Sequence, residues 1–311
     1  MKVGITGATG FIGKILVEHC LDRNYSVRVL TRSPDKLGPM QDKVEIISAD
    51  LTADDVCLSE FFDNLDIIFH CAGEIRNESR MYDLHVNATK KLVNAAKHRV
   101  SKWVQLSSVG AYGEILNGTV TEDTLENPQG EYETTKTLSD NIVKKAASSN
   151  YFDVCIVRPS NVIGKTMTNN SLFSMIKMIK RGLFFYIGGE KATTNYVHVN
   201  NVVEALLLCA TSDKSNDKTY ILSESCTLEE AVNSIAGGLN KKAPSLNIPE
   251  SITRLLSKIF SSVPGFPLST SRINALTSQV VYDGSLIEKE LGFEYSGKIT
   301  TRLAELAVCL R

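Results

Sequence analysis

Near the start of the chain stands Val3-Gly4-Ile5-Thr6-Gly7-Ala8-Thr9-Gly10-Phe11-Ile12-Gly13, and this stretch decides the fold. The apolar run at residues 3–5 predicts a strand, and the pattern at 13–22 predicts a helix. Between them, glycines permit a tight turn and let backbone N–H groups approach a pyrophosphate at the positive end of the helix. A glycine pattern that follows a strand and opens a helix predicts a dinucleotide-binding loop. The residues expected to bind the cofactor here are Gly7, Thr9, Gly10, Phe11 and Ile12.

Beyond this loop, short β-branched runs alternate with helical patterns through the first half of the chain. Apolar strands that alternate with helices form βαβ units, whose parallel sheet is covered by helices on both faces. The sequence therefore predicts a Rossmann-type, doubly wound α/β fold. After the first strand, the expected strands are 26–31, 44–48, 66–70, 103–107 and 154–158.

The regular alternation of strand and helix patterns ends after residue 164. Helices are predicted at 171–181 and 201–210, a short strand at 196–199, and a strand at 220–222 that can return to the sheet. From about residue 226 the chain is predicted to be mostly helical. We therefore expect a dinucleotide-binding Rossmann domain from residues 1–164 plus about 196–225, and a smaller, mostly helical substrate lobe from about 165–195 and 226–311.

Composition narrows the class of protein. The 311 residues contain 34 Lys or Arg against 35 Asp or Glu, a balance that argues against a nucleic-acid binder because such proteins need a basic surface. The longest aliphatic stretch, at 205–210, is too short to span a bilayer, and no signal peptide precedes the first strand. Seven scattered cysteines without a CxxC pair predict neither a metal site nor disulfides. We expect a soluble cytoplasmic enzyme with no membrane or nucleic-acid partner.

The glycine loop, read as TGATGFIG, resembles that of the extended short-chain dehydrogenase/reductase family, in its sugar-nucleotide epimerase/dehydratase-like branch. The resemblance continues along the chain. Asp50-Leu51 matches the family's adenine-contacting pair, and Asn87 matches the helix that begins with the family's Asn. His70-Cys71-Ala72-Gly73 matches the loop that lies along the cofactor, which implies cofactor contacts from Cys71, Ala72 and Gly73.

A candidate catalytic group follows the strand at 103–107. Ser108 comes directly after it, and Tyr132 and Lys136 lie four residues apart, so that on a helix they share one face. The spacing suits acid–base work on a carbonyl or an alcohol: Lys136 is expected to lower the pKa of Tyr132, which exchanges a proton with the substrate oxygen. The family resemblance selects Ser108 rather than Ser107 as the serine that holds that oxygen. It also implies that Tyr132 and Lys136 contact the cofactor.

The residues after the second strand bear on the choice of cofactor. NAD-preferring folds place a carboxylate at this strand end, where it accepts hydrogen bonds from the ribose 2′-OH. This chain has Thr31 there, followed by Arg32 and Lys36, which suit a 2′-phosphate. The alternative is that both cations are simply solvated surface charges. We therefore expect NADP(H), with NAD(H) as the alternative.

Substrate contacts are less well defined by the sequence. Arg158-Pro159-Ser160-Asn161-Val162-Ile163-Gly164 resembles the family's RPxNVxG element, which implies that Pro159 and Ser160 lie at the nicotinamide and Asn161 faces the substrate. Alternatively, Asn161 is only a turn residue. Sugar-nucleotide members supply an arginine to the substrate diphosphate from a segment like RDFVHVDDV. In this chain a neutral amide, Asn195, stands in that place, and the cations that can substitute are Arg181, Lys191 and Arg272.

Together these features predict an NADP(H)-dependent reductase that acts on a keto group of a nucleotide-activated sugar. Three alternatives stay open: a sugar-nucleotide epimerase or dehydratase that retains its cofactor, a reductase of steroid or flavonoid ketones, and a non-catalytic dinucleotide sensor. The sensor ranks last because Ser108, Tyr132 and Lys136 are all present. A homodimer is compatible with the sequence.

Overall fold

A computed structural model describes residues 1–53, 56–167, 170–188, 192–259 and 269–310. Its strands, in chain order, are β1 (Lys2–Thr6), β2 (Ser26–Thr31), β3 (Glu45–Ser48), β4 (Ile67–His70), β5 (Lys102–Leu106), β6 (Asn117–Val120), β7 (Asp153–Pro159), β8 (Asn161–Ile163), β9 (Tyr186–Ile187), β10 (Thr193–His198), β11 (Lys218–Leu222), β12 (Glu224–Thr227), β13 (Asn247–Ile248) and β14 (Gln279–Tyr282). Its α-helices are α1 (Phe11–Asp22), α2 (Glu78–Tyr82), α3 (Ala88–Ala96), α4 (Glu131–Ser148), α5 (Asn170–Lys180), α6 (Val199–Thr211), α7 (Leu228–Gly238), α8 (Glu250–Ile259), α9 (Thr270–Thr277), α10 (Ser285–Leu291) and α11 (Ile299–Val308).

Within the described residues, one sheet has seven strands in the order β11-β7-β5-β4-β1-β2-β3, and every pair in it is parallel. The order reverses at β1, with β2 on one side and β4 on the other, which is the doubly wound arrangement. Ligands bind such sheets outside the carboxyl ends of the strands at this point. The predicted fold class is confirmed, and the predicted strand at 220–222 does return to the sheet as β11, beside β7.

Helices cover both faces of the sheet because apolar strand residues point to both sides. On one face, α1 and α6 pack against the strands through side chains such as Leu16 and Leu206. On the other face, α3 and α4 contribute Leu92 and Val143 to a core around Trp103. Burial on both sides explains why the strands are runs of aliphatic residues rather than alternating patterns.

Outside the large sheet, the described residues form more strand than the sequence predicted. A three-stranded sheet, β12-β10-β8, packs with α5, α7 and α11 around a separate core, and two-stranded pairs form between β9 and β13 and between β6 and β14. The predicted strand at 196–199 lies in this sheet, although the expected division assigned it to the Rossmann domain. Hydrogen-bonded neighbours on β8 and β12 account for its position.

Helix α10 lies on the Rossmann side, although the sequence assigned 226–311 to the substrate lobe. Ile287 is fully buried in the core of the large sheet. The Glu290 carboxylate accepts hydrogen bonds from Lys218 Nζ (3.0 Å) and Tyr220 Oη (2.7 Å) on β11. Tyr220 and Leu222 of β11 belong to the same core as Ile287, so α10 packs against one face of the sheet at its edge strand. Across the described ranges, no helix combines the length and apolarity needed to cross a bilayer.

Candidate active site

The glycine loop between β1 and α1 is built on close backbone approaches. Gly7 has φ +72°, and a Cβ there would lie 2.6 Å from the backbone of Cys71 and Ala72 in the loop after β4. Gly10 N donates to Gly7 O at 2.9 Å, and a Cβ on Gly13 would collide with the same carbonyl oxygen. Only glycine fits at Gly7 and Gly13, so the loop folds tightly and α1 begins close to the strand end.

The N-terminus of α1 is suited to an anion. Gly10 is the N-cap, and none of the described side chains caps the helix or places a carboxylate in its first turn. The first-turn N–H groups and the helix dipole therefore favour a negatively charged ligand at this point. Phe11 packs against Gly164, where a Cβ would lie 2.9 Å from its ring, so the loop is fixed against the segment after β8. The cradle fits the pyrophosphate of a dinucleotide.

The ends of β2 and β3 carry the predicted adenosine contacts. Asp50 Oδ1 accepts hydrogen bonds from the backbone N (3.0 Å) and Oγ1 (2.8 Å) of Thr52, and these bonds, chiefly the backbone one, lower the pKa of the Asp50 carboxyl. Its Oδ2 faces two guanidinium groups, Arg32 Nη1 at 3.5 Å and Arg80 Nη2 at 4.0 Å. Leu51 is buried beside Asp50, and Lys36 is exposed. Arg80 is a cation near this end that the sequence did not assign to the cofactor.

His85 joins the predicted cofactor loop, Cys71 to Gly73, to the catalytic helix. Its Nε2 accepts the Glu74 backbone N–H at 2.8 Å, and its Nδ1 lies 2.8 Å from Thr135 Oγ1 on α4. Burial first, and then the charge of Lys136, lower the pKa of His85 to about 3. The imidazole is therefore neutral, and because Nε2 is an acceptor, its proton resides on Nδ1 and is donated to Thr135.

His85 was not predicted from the sequence, whereas Asn87, two residues later, was. Asn87 is only half-buried, and its amide donates to Asp83 within the same helical segment. The signal that could have found His85 is the helical spacing of His85, Thr89, Leu92 and Ala96, which puts all four on the buried stripe.

Ser108, Tyr132 and Lys136 are brought together where β5 ends and α4 begins. Ser108 Oγ accepts the Gly110 backbone N–H at 3.1 Å and caps a short 3-10 helix. The Tyr132 ring packs edge-on against His85, with centroids 5.7 Å apart. Lys136 is buried, and its Nζ donates to the Leu106 carbonyl oxygen at 2.6 Å.

The expected effect of Lys136 on Tyr132 is not present in the structure. Burial raises the pKa of Tyr132 to about 12, and the hydrogen bond with the Ser108 hydroxyl only partly opposes it. Burial also lowers the pKa of Lys136, opposed chiefly by the negative charge of Asp140. The physical reason is that the ammonium donates to Leu106 instead of to the phenol. Tyr132 is therefore a neutral phenol that carries a proton to donate.

A buried carboxylate ties three of these elements together. Asp140, one turn beyond Lys136 on α4, accepts hydrogen bonds from Ser107 Oγ (2.6 Å) and from Arg158 Nη2 (3.0 Å) and Nε (3.3 Å). Arg158 also donates to Glu126 at 2.6 Å. Ser107 precedes Ser108, and Arg158 precedes Pro159 and Ser160, so this ion pair fixes the ends of β5 and β7 against α4. No role for Asp140 was predicted from the sequence.

At the other predicted contacts, Ser160 and Asn161 follow the end of β7. Ser160 Oγ is buried without a hydrogen-bond partner among the described atoms, so the site holds a hydroxyl that a ligand can bind. Asn161 is exposed, and its Nδ2 donates to the Asn195 carbonyl oxygen at 3.2 Å. Asn195 is buried, and its amide bonds to Val280 O, to the Tyr282 backbone N–H and to Ser225 Oγ.

Two of the three cations proposed to substitute for a diphosphate-binding arginine are described by the structure. Arg272 is exposed on α9, and Arg181 is exposed at the end of α5. Lys191 lies outside the described residues. Helix α9 reaches the catalytic side through Asn274, whose Nδ2 donates to Glu114 Oε1 at 3.0 Å, shortly after Ser108 in the chain. Across the described segments, no three His, Cys, Asp or Glu side chains are close enough to hold a metal ion.

The fold and the site define a dinucleotide-dependent enzyme built on a Rossmann-type sheet. Residues 3–222 match the sequence profile of the NAD dependent epimerase/dehydratase family, and the chain belongs to that family. Its members are NAD(P)-dependent oxidoreductases, epimerases and dehydratases, so the protein is an NAD(P)-dependent enzyme. The resemblance to the extended short-chain dehydrogenase/reductase family is thereby confirmed.

Known proteins with different activities resemble the chain. A 3 beta-hydroxysteroid dehydrogenase/Delta 5-->4-isomerase of Mycobacterium tuberculosis is 28% identical over 226 residues, covering 67% of this chain and 60% of that relative's length. A putative UDP-glucose 4-epimerase of Methanocaldococcus jannaschii is 28% identical over 221 residues, covering 66% of this chain and 72% of the relative. The crystal structure of UDP-glucuronic acid 4-epimerase from Bacillus cereus in complex with NAD superposes with a TM-score of 0.76 at 18% identity, over 100% of this chain and 99% of that one.

Proposed function

We propose that the protein is an NADP(H)-dependent reductase that converts a keto group to an alcohol, with a nucleotide-activated sugar as its substrate. The observation that carries the proposal is the arrangement of Ser108, Tyr132 and Lys136 where β5 ends and α4 begins, in which Tyr132 is a buried, neutral phenol hydrogen-bonded to Ser108 and one helical turn from Lys136. Reduction of a ketone needs a hydride on carbon and a proton on oxygen. A buried phenol that keeps its proton is suited to supply the second.

The dinucleotide, when bound, supplies the hydride to the carbonyl carbon. The substrate oxygen accepts hydrogen bonds from the Ser108 hydroxyl and from Tyr132, and the Tyr132 proton is transferred to it as the alcohol forms. Lys136 donates to the Leu106 carbonyl oxygen one helical turn from Tyr132, and its positive charge, which Asp140 supports, stabilises the tyrosinate once the ammonium turns from Leu106 to the phenol. A proton from solvent restores the phenol, so one NADPH and one proton are consumed for each ketone reduced.

The preference for NADP(H) rests on the charges at the ends of β2 and β3. Thr31, where an NAD-preferring fold carries a carboxylate, is buried, and its Oγ1 accepts the Ser33 backbone N–H. Asp50, the nearby acid, faces Arg32 and Arg80. An adenosine 2′-phosphate would meet two guanidinium groups here, whereas a free 2′-OH finds a carboxylate that is already paired.

Steady-state kinetics with both cofactors test this preference. Arg32→Ala removes a charge-assisted contact, which should weaken NADPH binding by roughly ten- to a hundredfold and leave NADH nearly unchanged. Arg80→Ala should act in the same direction with a smaller effect, because its guanidinium lies farther from Asp50. Arg23→Ala is the matched control, since Arg23 ends α1 before β2 begins and is paired with Glu204, so that its loss should affect neither cofactor. Equal use of NADPH and NADH by the unmodified protein would contradict the proposal.

Replacing the proposed acid tests the chemistry. Tyr132→Phe keeps the ring against His85 and removes the proton donor, so turnover should fall by roughly 10²–10⁴ while NADPH binding, followed by its fluorescence, survives. Tyr151→Phe, which removes a phenol that packs beside His98 in another part of the chain, is the control. Near-normal turnover in Tyr132→Phe would show that another group donates the proton.

For the substrate, the proposed contacts are Ser108, Asn161 and Arg272, the last brought towards the catalytic side by α9. A specific observation favours a second candidate, a reductase of steroid or flavonoid ketones: the amide of Asn195 is buried and fully engaged within the protein, so no cation stands at that position for a diphosphate. The 3 beta-hydroxysteroid dehydrogenase relative points the same way.

A substrate panel separates the candidates. Stoichiometric NADPH oxidation with a 4-keto sugar nucleotide supports the proposed function, and oxidation only with a steroid or flavonoid ketone supports the second candidate. Conversion of a 4-hydroxy sugar nucleotide into its epimer without added cofactor would identify an epimerase that retains its dinucleotide. That result would contradict net reduction, because an epimerase returns the hydride to the same substrate.

A further inference from the structure

Helix α8 is oriented with its apolar face outward. Ile252, Leu255 and Ile259 are 48%, 58% and 61% exposed, whereas the side chains of Thr253 and Ser257 are buried. At 100° per residue, the three aliphatic side chains fall within one 60° sector of the helix, and the two buried polar ones lie on another. A surface helix ordinarily buries its apolar stripe and exposes its polar one. We call the three exposed residues the apolar face of α8.

The orientation of α8 is held by polar contacts. Thr253 Oγ1 donates to the Pro249 carbonyl oxygen at 3.0 Å, so its burial leaves no unsatisfied hydroxyl. Arg254 binds Glu250 on its own helix at 2.7 Å and donates to Asn274 of α9 at 3.1 Å. The contact between Arg254 and Asn274 holds the polar side of α8 towards α9, so the apolar face points away from α9.

Further exposed aliphatic side chains lie where the chain enters this region. Leu246 and Leu183, each 61% exposed, precede the paired strands β13 and β9. The Tyr186 backbone N–H donates to the Leu246 carbonyl oxygen at 2.8 Å, which fixes the two strand starts side by side. Gly188, at the end of this pair, lies against Glu250 at the start of α8. The strand pair and α8 are therefore neighbouring elements, and the segments around them expose five large aliphatic side chains in all; exposed apolar groups in such numbers are typical of an interaction site.

The charge of this region is strongly positive although the whole chain carries a net charge of −1. The stretches 177–188 and 241–259 together contain seven Lys or Arg and a single acidic residue, Glu250. Lys241 and Lys242 are exposed just before Leu246, and Lys258 is exposed on α8 next to the apolar face. Cations that flank exposed aliphatic groups match the headgroup and acyl layers of an anionic bilayer.

We propose that the apolar face of α8, with the flanking lysines, docks the protein onto the surface of a membrane rich in anionic lipid. A second copy of the chain is a poorer occupant, since a symmetric contact would place two strongly basic surfaces against each other. This proposal departs from the expectation of no membrane partner, which rested on the lack of a stretch long enough to span a bilayer, because a helix lying in the headgroup plane spans nothing. The inference does not depend on the proposed reaction.

Sedimentation with vesicles tests the proposal on the full-length protein. The protein should bind phosphatidylglycerol-containing vesicles and bind pure phosphatidylcholine vesicles at least tenfold more weakly, and high salt should reduce the binding. The double variant Ile252→Ser/Leu255→Ser should lose roughly tenfold or more of the partition coefficient, and so should Lys241→Glu/Lys242→Glu. Leu125→Ser, at a side chain that is 87% exposed in another loop, and Lys43→Glu are the matched controls and should bind normally.

The substituted side chains are exposed, so thermal unfolding should verify that each variant folds. No binding to either vesicle overturns the proposal, and so does equal binding to neutral and anionic vesicles. Light scattering tests the alternative that a second copy of the chain occupies this surface. A dimer that Ile252→Ser/Leu255→Ser converts to a monomer, with no vesicle binding, would assign the surface to that second copy.

Discussion

The neutral His85 side chain predicts a particular pH dependence of stability. Its folded-state pKa is about 3, against an ordinary value of 6.5, because burial and the charge of Lys136 disfavour the protonated ring. Unfolded chains therefore bind a proton at this residue in a pH range where the folded protein does not. With the folded pKa depressed, stability is lost as the pH falls below about 6.5, and the loss continues to about pH 3.

The size of the effect follows from the two pKa values. Each unit of pH between them changes the free energy of unfolding by about 1.4 kcal/mol, so His85 should account for a loss of about 2 kcal/mol between pH 7 and pH 5. His70, whose pKa burial also lowers well below its ordinary value, adds a loss of the same sign. Comparison of the unmodified protein with His85→Gln cancels the His70 contribution.

Glutamine is a suitable replacement because its amide can accept the Glu74 N–H and donate to Thr135 without titrating. Urea unfolding at pH 7 and pH 5 should show that His85→Gln loses about 2 kcal/mol less on acidification than the unmodified protein. His98→Gln, at an exposed histidine, is the control and should follow the unmodified protein. Equal acid sensitivity in the unmodified protein and His85→Gln would refute the assignment of a neutral, doubly bonded imidazole.

Two further substitutions test the architecture of the site. Gly13→Ala should destabilise the protein by about 1–3 kcal/mol and abolish dinucleotide binding, because its Cβ meets backbone that cannot move aside. Gly237→Ala, in open space on α7, is the control and should leave stability and dinucleotide binding intact; unfolding and cofactor titration measure the two quantities. Asp140→Asn should cost about 3 kcal/mol in urea unfolding, since it leaves the buried Arg158 with one partially exposed partner. Asp42→Asn, on the surface, is its control, and a loss below about 1 kcal/mol in Asp140→Asn would show that the buried pair is not needed.

The order of strands and helices in the Rossmann domain could be predicted because the relevant information is local. The run at 26–31, with Val27, Val29 and Leu30, has the side chains typical of a strand, and the predicted boundaries agree with β2. The meeting of Ser108, Tyr132 and Lys136 could also be predicted, because Ser108 follows a strand, Tyr132 and Lys136 share a helix face, and the family resemblance joins the two. Spacing alone could not predict where the Lys136 ammonium points, because its hydrogen-bond partner, the Leu106 carbonyl oxygen, lies 30 residues away in the sequence.

The polar residues beneath the site were missed for a related reason. A buried His85 or Asp140 is stable only with partners from remote segments, and their hydrogen bonds span 50 and 33 residues of sequence, to Thr135 and Ser107. No local sequence pattern indicates which remote residue will be such a partner. The orientation of α8 has the same origin: helical periodicity shows that Ile252 and Leu255 share a face, but only contacts with α9 determine which face is buried.

These buried partners explain how one helix positions the reaction. Helix α4 carries Tyr132 and Lys136, and it is bonded at Thr135 to His85, which also holds the loop after β4. One turn further on, Asp140 bonds it to the ends of β5 and β7. The proposed proton donor therefore lies on a helix fixed to three strand ends, and the predicted cofactor loop and Ser108 are fixed by the same bonds. At neutral pH, where His85 is uncharged, this buried network should hold the proposed donor, the serine and the loop in fixed relative positions, and acidification should loosen it at His85 first.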